Sequence, residues 1–128
     1  MTAPKGLDAV LNAFGEGVNI RDFGFNGRDA ACLRFETGVS LRFEYAFEKL
    51  VIALQIPAPN NAELMKRLLE YTQPERSPSF KLRVAYLDRA STAIMVAMLP
   101  ERDASLDAIN AVFSDLWLMA EEFRGQIL

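Results

Sequence analysis

Towards the C-terminus, Leu106, Ile109, Phe113, Leu116, Ala120, Phe123 and Ile127 recur at alternating intervals of three and four. That spacing lays them along one stripe of an α-helix running from Ser105 to about Arg124. At ~1.5 Å per residue the helix is ~30 Å long, so it needs an apolar surface of similar length to lie on. Asp103 and Asp107 favour its start through the helix dipole. Trp117, Leu118 and Met119 extend the apolar surface past half the circumference. This second flank is either covered by another helix or open to a partner.

The surface it needs is supplied by strands. Ala31, Leu33 and Phe35 alternate with Cys32, Arg34 and Glu36; after Thr37-Gly38, Val39, Leu41, Phe43 and Tyr45 alternate with Ser40, Arg42 and Glu44. Period two with segregated faces predicts a half-buried hairpin. Leu50 to Ile56 is apolar nearly throughout, which predicts a central strand or one covered on both faces. Phe80 to Tyr86 and Thr92 to Leu99 give two more strands across the turn Asp88-Arg89-Ala90, with Pro100 as the stop.

Two shorter helices complete the chain. Leu7, Val10, Leu11 and Phe14 share a face of a helix from Pro4 to Phe14, with Gly15 and Gly17 as a stop. Asn60 or Asn61 caps a second helix reaching Tyr71, and Gln73 to Ser79 is an exposed loop bracketed by Pro74 and Pro78. The order α-β-β-β-α-β-β-α predicts an α+β fold with a largely antiparallel, twisted sheet and helices packed on it. A chain of 128 residues supports one core, so residues 1–128 are read as a single domain.

Composition then removes several functions. The chain is 51% hydrophobic, as a globular protein requires, but no apolar run approaches the ~20 residues that span a bilayer. Met1-Thr2-Ala3-Pro4-Lys5 lacks the basic start and apolar stretch of a secretory signal. One cysteine, Cys32, excludes an intrachain disulfide and a multi-cysteine zinc site, and a reducing cytoplasm is the expected setting. A net charge of −3, from 14 basic and 17 acidic residues mixed along the chain, argues against a nucleic-acid surface. There is no histidine, hence neither the commonest general base nor the commonest metal ligand.

Few groups with chemical potential remain. Gly24-Phe25-Asn26-Gly27-Arg28 has glycines but neither the lysine nor the following helix of a phosphate loop, so it reads as a turn that needs positive φ. Glu36 and Glu44 face each other across the first hairpin in the manner of a carboxylate pair. Both stand in rows with Arg34 and Arg42, so a solvated face of alternating charge is the plainer reading. Cys32, with no histidine beside it, reads as structural. No catalytic residue, metal site or cofactor is expected. Met65 and Leu69 on the second helix are peripheral core or a subunit contact, and so much apolar surface on a small chain favours a homodimer.

The layout, length, acidic balance and long final helix resemble the class I type III secretion chaperones of bacterial pathogens, the Tir-chaperone-like superfamily. The resemblance covers the whole chain and rests most on Leu7-Asp8-Ala9-Val10-Leu11, Val39-Ser40-Leu41-Arg42-Phe43-Glu44, and Leu106 to Phe123. It implies a cytoplasmic homodimer that holds the N-terminal segment of a secreted effector extended and export-competent, without using nucleotide. By the same resemblance, Met65, Leu69, Leu82 and Val84 would face the partner subunit, and Leu7, Val10, Leu11, Phe14, Leu33 and Phe35 the effector. No nucleic acid or membrane partner is implied.

Two other classes compete. An adaptor or regulatory domain of this shape would expose a similar apolar patch. A small α+β enzyme or ligand-binding protein would instead enclose a cavity of ~300 Å³ or more between sheet and last helix, served by Glu36, Glu44 or Tyr45.

Overall fold

The computed structural model describes residues 4–73 and 80–127. The alternating segments form β1 (Ala30–Arg34), β2 (Ser40–Ala46), β3 (Lys49–Pro57), β4 (Leu82–Leu87) and β5 (Thr92–Pro100). The 3.6-period segments form α1 (Lys5–Gly17), α2 (Ala62–Glu70) and α3 (Leu106–Gly125). Single 3-10 turns stand at Asp88–Ala90 and Glu101–Asp103. The predicted order is thus observed. The loop expected at Gln73 to Ser79 lies outside the described residues from 74 onward.

The sheet is antiparallel throughout, in the order β1-β2-β3-β5-β4. β5 enters between β3 and β4, which therefore run parallel to each other and need a crossover. α2 supplies it. β3 is the central strand, as its apolar run requires, with Leu50, Ile52, Leu54 and Ile56 buried on one face. Its other face, Val51, Ala53 and Gln55, is only half-covered, because all three helices pack on the same side.

α3 lies over β3 and β5, with α1 on the β1–β2 side and α2 towards β4. Phe14 of α1 reaches both Phe43 of β2 and Phe113 of α3, each at 5.4 Å between ring centres in edge-on geometry. Tyr71, after α2, donates its hydroxyl to Glu122 of α3 at 3.0 Å. The helix starts are capped as short polar side chains dictate: the Asn61 carboxamide oxygen accepts from Glu63 and Leu64, and Ser105 Oγ accepts from Ala108. Asn61, not Asn60, is the cap of α2.

Of the two glycines expected to stop α1, Gly17 is its last residue and Gly15 lies within it. Gly15 is needed for close approach: a Cβ there would lie 2.5 Å from the Cβ of Phe23. The segment after α1 folds back under Phe23 and Phe25, both buried. Asn26 (φ 53°) and Gly27 (φ 82°) make the expected turn, closed by Arg28 N–H donating to Phe25 C=O at 2.9 Å. Among the described residues no polar or charged residue is buried, so the core is wholly apolar.

Candidate functional site

β1 is the edge of the sheet: it pairs with β2 on one side and with no strand on the other among the described residues. An unpaired edge presents a row of backbone donors and acceptors that a second chain can complete. Beside this edge, on the helical side of the sheet, stand three aromatic rings. Phe35, just past β1, lies 4.8 Å from Trp117 and 6.2 Å from Phe113, and Trp117 lies 5.8 Å from Phe113. All three are half-buried. Phe113 and Trp117 are one helical turn apart on α3, so both point the same way. Leu118 beside them is 68% exposed. The second apolar flank of α3 is therefore divided: Phe14 of α1 covers part of Phe113, while the Trp117 and Leu118 end is left open.

The six residues expected to meet an effector do not share one environment. Leu7, Leu11 and Phe14 are buried in the protomer's own core, at 5%, 0% and 2% exposure, so they offer little area to a client in this conformation. Val10, Leu33 and Phe35 are half-buried and pack against that core from outside. The structure brings Phe35 together with Phe113 and Trp117, two residues not among those six. Their spacing of four on the flank of α3 was the available signal.

The residues expected at a dimer contact also divide. Leu82 is buried on the helical face of the sheet, while Met65 and Val84 are half-buried. Leu69 is 60% exposed. β4 is the second edge strand, pairing with β5 alone among the described residues.

The groups weighed for chemistry are held in ordinary interactions. Glu44 stands opposite Ala30, and Glu36 lies beyond the paired residues, so the two carboxylates do not face each other as expected. Register decides this, since Arg34 already meets Ser40. Glu44 instead accepts from Arg42 at 2.9 Å, which holds the Arg42 guanidinium above its ordinary pKa. The Tyr45 hydroxyl donates to Glu101 at 2.7 Å; that bond, then burial, pushes the phenol up to about 12. Glu36, Glu44 and Tyr45 line none of the prominent hollows formed by the described residues. Among the described residues no group of three His, Cys, Asp or Glu could hold a metal ion, and no helix is long and apolar enough to cross a membrane.

No protein-family model matches the chain, and no curated protein matches it by sequence. Solved structures do match. The chain is similar to one in the ExsC–ExsE complex, with a TM-score of 0.81 and 14% identity, covering 99% of this chain and 97% of that one. It is also similar to a chain of the heterodimeric ExoU–SpcU complex from the type III secretion system of Pseudomonas aeruginosa (TM-score 0.67, 16% identity, 91% and 93% covered). A third likeness is to the complex of the Yersinia pestis type III secretion chaperone SycH with a fragment of YscM2 (TM-score 0.67, 15% identity, 91% and 98% covered). With 91–99% of the chain covered at TM-scores of 0.67 to 0.81, this chain has the fold of the type III secretion chaperones.

Proposed function

We propose that the protein is a cytoplasmic, homodimeric chaperone of bacteria that holds the N-terminal segment of a type III secreted effector in an extended, export-competent form. The observation that carries this reading is the open edge of β1 beside the half-buried cluster Phe35, Phe113 and Trp117. An extended client adds a strand to β1 through main-chain hydrogen bonds, and alternate side chains fall onto Leu33, Phe35 and the aromatic cluster. Val10 extends the apolar contact along α1. Leu7, Leu11 and Phe14 hold α1 in place from beneath.

Catalysis has little to work with here, because the carboxylates sit in exposed or paired positions. Binding fits better: ordering an extended client costs several kcal/mol, which large apolar contact and a second copy of the site offset. Homodimerisation is assigned to the exposed side of α2 and the edge of β4, with Leu69, Met65 and Val84 at the contact and Leu82 supporting them.

The test is co-expression with the N-terminal segment of a type III secreted effector from the same organism, followed by size exclusion with light scattering. A stable complex of two chaperones with one client segment is expected. A chaperone that remains a monomer and leaves the segment insoluble would overturn the reading.

A further inference from the structure

The outer face of the sheet, opposite the three helices, has its own charge pattern. Strand alternation and register put Lys49 of β3 and Arg83 of β4 on this face, around Val51, Val96 and Met98. β3, β4 and β5 place no Asp or Glu there. Lys81, just before β4, joins Lys49 and Arg83 around one shallow hollow of about 280 Å³, whose apolar lining is Val96, Met98 and Pro100. Among the described residues none of these three cations has a carboxylate partner at ion-pair distance. Met98, in the same hollow, is 41% exposed. In a chain of net charge −3, three cations with no carboxylate partner among the described residues stand around exposed apolar surface.

A second feature stands at the same end of the sheet. Phe47 and Glu48 form the two-residue turn between β2 and β3, with φ of 52° and 59°. Such a turn favours Asn-Gly, and a bulky side chain at positive φ is strained. The Phe47 ring is 92% exposed, so packing within the protomer does not offset that strain. The hollow it lines shares Lys49 and Pro100 with the cationic one.

We propose that the cationic hollow and Phe47 together dock a segment of a partner protein that carries both carboxylates and apolar side chains. Its carboxylates meet Lys49, Lys81 and Arg83, and its apolar side chains meet Val96, Met98 and the Phe47 ring. A second copy related by a two-fold axis through this patch would set like cations against each other. A flat anionic membrane reaching Phe47 would also meet Glu48 and Glu101, which line the same hollow; a narrow segment avoids them. The surface is on the opposite side of the sheet from the β1 aromatic cluster, so this assignment does not depend on the chaperone reading.

The experiment uses the full chain and a fluorescent peptide of alternating Glu and Leu, read by anisotropy. Saturable binding that weakens with added salt is expected, with a loss of at least about tenfold in the triple variant Lys49→Glu, Lys81→Glu, Arg83→Glu. Replacing Phe47 and Glu48 by Asn and Gly should weaken binding several-fold while raising Tm, a split that a purely structural turn residue would not show. Circular dichroism checks that each variant is folded. Equal binding of a Lys/Leu peptide, or an unchanged triple variant, overturns the proposal. Binding to phosphatidylserine vesicles in place of the peptide would reassign the patch to a lipid surface, and a changed mass of the triple variant by light scattering would reassign it to a second copy.

Discussion

The Phe35 ring at the open edge of β1 lies 4.8 Å from the indole of Trp117 on α3, inclined at 58°. Trp117 is the chain's one tryptophan, so its fluorescence reports on this groove alone. Client binding should shift the emission to shorter wavelength as the indole leaves water. Phe35→Asp should weaken client capture by about tenfold or more, because it sets a charge against a client's apolar side chain. Unchanged emission on forming the complex would place the client elsewhere.

Val10 and Leu11 are neighbours in sequence with opposite fates. Leu11 is fully buried and Val10 half-exposed. Leu11→Asp places an unpaired carboxylate in the core and should destabilise the protein by about 4 kcal/mol or more, enough to unfold it. Val10→Asp should keep the circular dichroism spectrum and lose client affinity. Equal melting temperatures for the two variants would contradict their placement.

The loop after α1 is tied down by one carboxylate. Phe25 N–H donates to Asp8 Oδ1 at 2.6 Å, and a Cβ on Gly24 would lie 2.7 Å from the same oxygen. Asp8→Ala removes a charge-assisted bond and should cost about 1–3 kcal/mol in chemical denaturation.

Tyr45 gives the protein an alkaline limit. Hydrogen bonding to Glu101 raises the phenol from 10.0 to about 12 in the fold. The folded state then holds this proton more tightly than the unfolded state. The associated stability is complete below pH 10 and is lost as the pH rises towards about 12. Tyr45→Phe should flatten stability across that window and remove the phenolate absorbance that develops near its upper end.

Leu69 on α2 tests the dimer. Its exposed side chain can take a charge without disturbing the core, so Leu69→Asp should lower the mass from near twice 14.3 kDa to 14.3 kDa with the fold intact. An unaltered mass would exclude this contact.

What was legible in the sequence was whatever periodicity controls. The three-four spacing from Leu106 to Ile127 appears as α3. The alternation of Val39 to Tyr45 and of Thr92 to Leu99 appears as β2 and β5. Local chemistry was legible too: Asn61 caps α2 and Asn26-Gly27 turns the chain, because those effects act over a few residues.

Other features depended on contacts between distant segments. Only the packed structure shows that Gly15 accommodates Phe23, since a stop signal and a close approach look identical in one dimension. Only register separates Glu36 from Glu44. An apolar stripe says that a helix face will be buried, without saying by what. The resemblance to the secretion chaperones implied a client surface that included Leu7, Leu11 and Phe14, and the packed structure shows these three covered by the rest of the protomer. The sequence alone determined the elements and their faces. The tertiary structure decided which apolar residues remained open, because exposure is what is left after every other segment has packed.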